Sequence, residues 1–300
     1  MEIAPRPFGV ILGEAMNALA RVWRPLLSTA LIAFVPVGLI AVALFRITGA
    51  AEVINVLTRN PQSLESLSEE ALRELLTPLL WALGATVAIQ LVAAFFVYLV
   101  SHILIAADIN GETITARQAR GEAWSRFGVA LGAGGLAVVT VVLLISIGLA
   151  IWFVPYALIG TPNATSFAIA TILFFALVGP GVWVAVSLSM LTPVVALERH
   201  GIFGSMLRSM NLVRRRWWPT LAYLLLVGLL GTVAIQLIQV VAFPLAAVAG
   251  AAGRSLVVAV VGVVAQGMIV AAVGAMYTFW YLDLRTRREP LLSEDLRPGS

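Results

Sequence analysis

The sequence predicts an all-α, polytopic helical membrane protein with six transmembrane helices in three repeats, each repeat being an interfacial helix plus a hairpin of two spans. Three observations predict this fold: the apolar composition, the length of the uncharged runs and the arginines between them. Of the 300 residues, 61% are hydrophobic and 11% are charged, and the mean hydropathy is +1.00. Soluble domains carry roughly 45–50% apolar and about 25% charged residues. The composition therefore excludes a soluble enzyme and a disordered chain, and residues 1–300 are predicted to form one membrane domain.

Six uncharged runs reach the roughly 20 apolar residues that a helix needs to cross a bilayer. They are 25–45, 76–107, 128–154, 164–197, 217–247 and 255–282. The fourth run contains Gly179, Pro180 and Gly181, and it is predicted either as one kinked span or as a partly re-entrant segment.

The arginines predict the orientation of the chain. All 19 basic residues are arginine, and 15 of them lie in four segments, 1–24, 108–127, 198–216 and 283–300. The positive-inside rule places these segments and both termini in the cytoplasm. Because an even number of spans must then separate the second and third segments, a kink at residues 179–181 is favoured over a turn. Arginine-only, alanine- and valine-rich usage is typical of GC-rich bacteria, so we expect a bacterial plasma membrane.

The one sizeable loop on the outer side of the membrane spans residues 47–75. Ser66 and Glu69 have the spacing of a capping box, and Leu67, Ala71 and Leu75 fall on one helical face. The second half of this loop is therefore predicted as an amphipathic helix that continues into the second span. Such a helix is either a docking surface for a membrane or extracytoplasmic protein partner, or a cap packed on the bundle itself.

A threefold internal repeat is predicted, with units at approximately 6–107, 112–197 and 201–283 and a cytoplasmic tail at 284–300. Segment 15–27 aligns with segment 209–221 without a gap, and six of the 13 positions are identical. The identical positions include Trp23 and Pro25, aligned with Trp217 and Pro219. Tryptophan favours the headgroup level, and proline suits only the first turn of a helix. Each Trp-Pro pair therefore marks the junction between an interfacial helix and a span.

Each second span ends in a single acid, which is Asp108, Glu198 or Asp283. A carboxylate at a membrane boundary stays ionised most readily beside arginine, which can bind it through two parallel hydrogen bonds. We expect these acids to clamp the interfacial helices of their own or a neighbouring repeat, with Asp283 bound to Arg21 or Arg24. The alternative is that they are ordinary boundary charges.

The densest positive clusters are predicted to bind the headgroups of anionic membrane lipids, because each basic residue near the cytoplasmic face contributes roughly 1 kcal/mol to that attraction. The predicted headgroup ligands are Arg21, Arg24, Arg214, Arg215, Arg216, Arg285, Arg287 and Arg288. Their position against the fifth and sixth spans favours lipid over nucleic acid, so no nucleic-acid partner is expected.

Residues suited to catalysis or ion coupling are sparse. The chain has no cysteine, and its two histidines, His102 and His200, lack the spacing of a metal site. We therefore predict no catalytic residue, no metal and no cofactor, and we expect that the protein is not an enzyme. Gln236 and Gln239 lie deep in the fifth span, where they either line a polar path or hydrogen-bond between helices.

Three stretches carry a resemblance to a known family: Val-Val-Ala-Leu-Glu at 194–198, the arginine-rich segment at 204–218 and Tyr-Leu-Asp-Leu-Arg-Thr-Arg-Arg-Glu at 281–289. On these residues the chain resembles bacterial membrane proteins of the glycerophosphoryl diester phosphodiesterase membrane domain type. The resemblance implies a multi-span membrane architecture over most of the chain. Some members carry a soluble phosphodiesterase domain after the membrane part. This sequence lacks that domain's cluster of acids and histidines, so we expect no hydrolase activity.

The expected function is a non-enzymatic integral membrane scaffold or accessory protein with a lipid-binding cytoplasmic rim. The alternative is a transporter or channel for a lipid-like or small amphipathic solute, with a path between repeats near Gln236, Gln239 and residues 179–181. An enclosed lipid or an open polar cavity between the repeats would favour the alternative.

Overall fold

A computed structural model describes residues 7–59, 68–159, 164–248 and 250–289 of the chain. These residues form nine helices, and no strand occurs among them, so the predicted all-α fold is confirmed. The helices are α1 (Phe8–Ile47), α2 (Ala50–Arg59), α3 (Glu69–Ile109), α4 (Ala116–Ile159), α5 (Ala164–Ser187), α6 (Leu191–Glu198), α7 (Ile202–Arg214), α8 (Trp217–Val248) and α9 (Gly250–Thr286).

The structure contains six helical segments that are long and apolar enough to cross a membrane, and each overlaps one predicted span. They are Phe8–Ile47, Glu70–Ile109, Ala116–Phe153, Phe167–Glu198, Trp217–Val241 and Val261–Thr286. The protein is therefore a multi-pass membrane protein. We call the end of the bundle formed by residues 8–24, 108–127, 198–216 and 283–289 the arginine-rich end.

The predicted junctions between interfacial helix and span take two forms. α1 has a kink at Val22 (φ −103°, ψ 15°), three residues before Pro25. Pro25 has no N–H to donate to the carbonyl four residues earlier, so the helical hydrogen-bond ladder is interrupted there. In the aligned segment the chain leaves the helix between α7 and α8, at Arg215 and Arg216, and Arg216 is the position that aligns with Val22. α4 instead continues as one helix through the second predicted junction.

The loop at 47–75 contains the predicted helix. α3 begins at Glu69 and continues into the span, and the Ser68 hydroxyl caps it by accepting a 3.3 Å hydrogen bond from the Ala71 amide. Ser66 of the predicted capping box lies outside the described residues. A further helix, α2, fills the first half of the loop and packs against α1 and α3 with Ala50 and Val53 buried. This packing makes α2 a cap on the bundle, and the two alternatives for the helix in the second half of the loop stay open.

The predicted interruption of the fourth span lies elsewhere than expected. α5 continues through residues 179–181, and the helix breaks instead at residues 188–190, before α6. Pro193 gives the reason, because it cannot donate a backbone hydrogen bond to Ser189 and is tolerated only in the first turn of α6. The Ser189 hydroxyl turns back to donate to the Val186 carbonyl at 2.7 Å.

The helices pack in a cyclic order. The two spans of each predicted hairpin are neighbours, namely α1 with α3, α4 with α5, and α8 with α9. Each first helix also packs against the second span of another hairpin: α1 on α9, α4 on α3, and α8 on α5. The second spans meet one another through α3, α6 and α9. This order is the one that a threefold arrangement of hairpins requires, and the repeat itself stays a prediction.

The densest part of the core lies toward the arginine-rich end. Every residue at 101–107 and at 190–196 is buried, so these two stretches are enclosed on every side. The start of α1 contributes Ile11 and Ala15 to this core, and the exposed Phe8 ring packs edge-on against Tyr223 and Trp280 at centroid distances of 5.2 and 5.9 Å. Leucines and valines along the outer face of α8 are exposed, as expected for a surface in contact with lipid.

Gly274 provides a test of the close packing between α3 and α9. A Cβ atom at this position would lie 2.8 Å from the Ser101 Cβ, whereas a Cβ at Gly262 on the same helix would meet nothing within 4 Å. We expect Gly274→Ala to lower the free energy of unfolding by about 1–3 kcal/mol through overpacking, measured by unfolding in mixed detergent micelles. Gly262→Ala is the matched control and should be neutral or slightly stabilising. Equal stabilities of the two variants would contradict the close approach.

Candidate functional site

A basic cleft opens at the arginine-rich end between α7, the start of α8 and the end of α9. Its volume is about 770 Å³, which is within the roughly 300–1,000 Å³ typical of ligand sites. It is lined by Arg208, Asn211, Leu212, Arg214, Arg215, Arg216, Leu284, Arg287, Arg288 and Glu289. Five of the eight predicted headgroup ligands therefore lie around one cleft, which we call the arginine cleft.

Local structure explains why these arginines meet. α7 ends at Arg214, and the next two arginines form the short connection to α8. α9 extends beyond Leu284, its last buried residue, and the turn that follows the helix carries Arg287 and Arg288. Leu212 of α7 and Leu284 of α9 are both buried in one apolar cluster, which holds the C-terminal ends of the two helices side by side.

Arg208 ties α7 to α9 at the inner edge of the cleft. Its Nη1 and Nη2 donate to the two carboxylate oxygens of Glu289 at 2.7 and 2.9 Å, and its Nε donates to Glu198 at 2.7 Å. The hydrogen bonds to Glu289 raise the pKa of Arg208 and lower the pKa of Glu289. The positive charge of Arg208 is thus matched by carboxylates of the protein, and the pair with Glu289 persists until the pH falls through the lowered pKa of Glu289.

Glu198, the last residue of α6, is the centre of an ion-pair network. Its side chain is 7% exposed, and it accepts hydrogen bonds from Arg208 and from the Tyr281 hydroxyl. The Nε of Arg285 lies 3.8 Å from Glu198 and 3.7 Å from Glu289. Arg285 therefore belongs to this network, while the other predicted ligands on α9 line the cleft.

Four arginines of the cleft carry charge that no carboxylate matches within 4 Å in the described part of the chain. They are Arg214, Arg215, Arg216 and Arg288. Burial and then the nearby charges of Arg215 and Arg208 lower the pKa of Arg288. Mutual repulsion between these groups makes the cleft electrostatically suited to an anion, and guanidinium forks match the oxygens of phosphate.

The three predicted clamp acids all have a guanidinium partner. Arg21 binds Asp108, with its Nε 3.0 Å from each carboxylate oxygen and its Nη2 2.5 Å from Oδ2. Arg287 donates to Asp283 at 2.7 Å from one turn away on α9. The expected pairing of Asp283 with Arg21 or Arg24 is not formed, because Arg21 binds the acid of its own predicted repeat.

Arg24 and Arg126 occupy other positions at this end of the bundle. The Arg24 guanidinium lies 5.5 Å above the Trp23 ring, and neither Arg21 nor Arg24 lines the arginine cleft. Arg126 of α4, which sequence reasoning missed, is buried and donates to the Ala196 carbonyl in the last turn of α6 and to Glu122 at 2.6 Å. A cation at this place satisfies a carbonyl at the helix C-terminus.

A buried polar junction joins the three second spans. His102 of α3 is fully buried, and its ring nitrogens lie 2.7 Å from the Thr278 hydroxyl of α9 and 3.1 Å from the Thr192 hydroxyl of α6. His102 and Thr192 each precede the acid of their span by six residues, and Thr278 precedes its acid by five. This nearly equal spacing is the sequence signal that could have located the junction.

The two glutamines of the candidate polar path lie on the outer part of the bundle. The side chains of Gln236 and Gln239 are exposed on α8, which packs mainly against α9. Their role in a path therefore stays a prediction.

Two ion pairs of different burial provide a matched test of the network. Glu198→Gln removes the almost buried carboxylate and leaves Arg208 and Arg285 with Glu289 alone, and we expect it to cost about 1.5–3 kcal/mol of unfolding free energy. Asp108→Asn breaks a pair whose arginine side chain is 58% exposed, and it should cost only about 0.2–1 kcal/mol. Both variants can be compared by unfolding in mixed micelles, and the reverse order would overturn the central place of Glu198.

The described residues contain no group of three His, Asp or Glu side chains that could hold a metal ion. His200 is exposed and lies 3.2 Å from Glu198. No family model, no curated protein and no solved structure matches the chain, so the resemblance to the phosphodiesterase membrane domain family stays a prediction.

Proposed function

We propose that the protein is a non-enzymatic scaffold or accessory protein of the bacterial plasma membrane that binds anionic lipid headgroups in the arginine cleft. The observation that carries this proposal is the convergence of Arg214, Arg215, Arg216 and Arg288 on one cleft without matching carboxylates among the described residues. The orientation with both termini in the cytoplasm, which the positive-inside rule favours, brings this cleft to the leaflet that is rich in anionic lipid.

The surroundings of the cleft favour a lipid headgroup over a soluble anion. Trp217 and Trp218 begin α8 directly beside it, and Trp218 is 74% exposed. Tryptophan concentrates at the headgroup level of membranes. The cleft therefore lies where phosphate groups of the bilayer are present at high local concentration, and nucleic acid would have to approach the membrane surface to reach it.

The expected affinity follows from the number of unmatched charges. At roughly 1 kcal/mol for each arginine near an anionic surface, the four unmatched arginines together contribute about 4 kcal/mol. This energy corresponds to a preference of roughly 10³-fold for an anionic over a neutral headgroup. A scaffold must also bind a partner, and we propose that this partner recognises the face of the protein that carries the bound lipid.

The alternative, a transporter or channel for a lipid-like or small amphipathic solute, has one supporting observation. An open crevice of about 320 Å³ lies among α3, α4, α6 and α9 within the spans. The arginine cleft supports headgroup binding under either function, so the two differ in whether bound lipid crosses the membrane.

Removal of two cleft arginines tests the proposal. The double variant Arg215→Gln/Arg288→Gln should weaken binding of phosphatidylglycerol by about 30-fold, which corresponds to about 2 kcal/mol. Because the two residues repel each other, the variant should also be as stable as the original protein, or more stable, when anionic lipid is absent. Lipid binding can be measured by native mass spectrometry with titrated phosphatidylglycerol, and stability by thermal unfolding.

The matched control removes the same charge from the opposite end of the bundle. Arg46 and Arg73 are exposed there, and Arg46→Gln/Arg73→Gln should leave phosphatidylglycerol binding unchanged. Equal loss of binding in both double variants would show that net charge and not the cleft attracts the lipid. Equal binding of phosphatidylcholine by the original protein would also reject the proposal.

A further inference from the structure

The crevice among the spans has a mixed lining. Apolar side chains of α3 and α4 form most of it, including Phe95, Val138 and Val141, and hydroxyl groups line the side toward α6 and α9. Its volume of about 320 Å³ is roughly twice the ~150 Å³ of an engineered apolar cavity that binds benzene. Val142 and Ala185 at its rim are exposed on the outside of the bundle. The crevice therefore opens to the hydrocarbon of the bilayer.

Two tyrosines give the crevice a polar side. Tyr98 of α3 and Tyr277 of α9 both line it, and their rings stack at a centroid distance of 6.4 Å and an angle of 14°. Tyr98 also stacks on His102 of the buried junction at 6.5 Å. The absence of a side chain at Gly274 makes room for this column, because a Cβ there would lie 3.2 Å from the Tyr98 ring.

The two tyrosine hydroxyls have no hydrogen-bond partner in the described part of the chain. The other polar groups of the crevice do have one, since Ser189 donates to the Val186 carbonyl and Thr192 bonds to His102. A hydroxyl that faces hydrocarbon without a partner is unfavourable. An occupant that brings a hydrogen-bonding group to Tyr98 and Tyr277 would remove that cost.

The depth of the tyrosines defines the kind of occupant. Tyr98 precedes Asp108 by ten residues and Tyr277 precedes Asp283 by six, which corresponds to about 15 and 9 Å along the helix axes. Within a hydrocarbon layer about 30 Å thick, Tyr277 lies between the arginine-rich boundary and the midplane, and Tyr98 lies near the midplane. A phosphate would not be stable there, whereas a hydroxyl or carbonyl attached to a long chain would.

We infer that this crevice binds one long-chain lipid through its hydrocarbon chain and a single hydroxyl or carbonyl group that hydrogen-bonds to Tyr98 and Tyr277. The chain packs along Phe95, Val138 and Val141. This site is separate from the arginine cleft and does not depend on headgroup binding there.

The test uses two photoactivatable probes in nanodiscs of phosphatidylcholine. One is hexadecanol with a diazirine in the middle of its chain, and the other is hexadecane with the same diazirine. Labelled residues are located by mass spectrometry. We expect the alcohol to label crevice residues in preference to the exposed outer face of α8, and an excess of unlabelled hexadecanol to suppress that labelling. Labelling spread evenly over all exposed span positions would overturn the inference, since it would indicate surrounding bulk lipid only.

Two sets of variants separate the chain from the hydroxyl. Val138→Phe fills the crevice and should reduce crevice labelling by both probes, whereas Val139→Phe, on the exposed side of the same helix, should not. Tyr98→Phe/Tyr277→Phe keeps both rings, so it preserves their packing even if Val138→Phe does not fold. It should lower alcohol labelling by about fivefold, the effect of one lost hydrogen bond, and leave hexadecane labelling unchanged. Equal effects on the two probes would exclude a role for the hydroxyls.

Discussion

The arginine-rich end depends on the carboxylate of Glu198. Glu198 is the last residue of a membrane span, where the negative end of the helix dipole already disfavours an acid, and its side chain is almost buried. Such a charge needs donors from other elements, and here α7 supplies Arg208 and α9 supplies Tyr281, while the Arg285 guanidinium lies 3.8 Å away. These bonds fix α7 and the end of α9 side by side. The arginines nearest to Glu198 pair with carboxylates of the protein. The unmatched arginines lie farther out, around the cleft, where no carboxylate of the described residues neutralises them.

The membrane-embedded part follows a different constraint, which is that polar groups must find partners inside the protein. The second spans approach closely where side chains are small, as at Gly274 and Ser101. At the same depth the polar side chains of three spans satisfy one another through His102, Thr192 and Thr278. A histidine at this place therefore fixes the relative position of three helices.

The elements set by local sequence could be predicted, and those set by packing could not. The six spans follow from apolar runs, and the kink near Pro25 follows from the missing N–H of proline. The break at residues 188–190 could not be located, because the Gly-Pro-Gly sequence at 179–181 signals a turn in water but can remain helical in a span. The clustering of Arg214–Arg216 with Arg287 and Arg288 depends on contacts between α7 and α9, which no pattern along the chain reports. The arginine that pairs with each acid is the hardest feature to predict, since it depends on which guanidinium lies nearest to the carboxylate in space.

The short helix α6 belongs to both proposed lipid sites, since Thr192 lies beside the crevice and Glu198 lies in the network at the arginine cleft. Coupling between two sites requires an element with two arrangements that both ligands bias. α6 does not fit that description. All six of its residues from Leu191 to Ala196 are buried, Arg126 holds its last turn, and the chain leaves it through Arg199 in a left-handed conformation (φ 50°) that only a well-fixed segment maintains. An element that is held from all sides has one arrangement and cannot couple binding at one site to binding at the other. A lipid in one site should therefore leave the affinity of the other site unchanged.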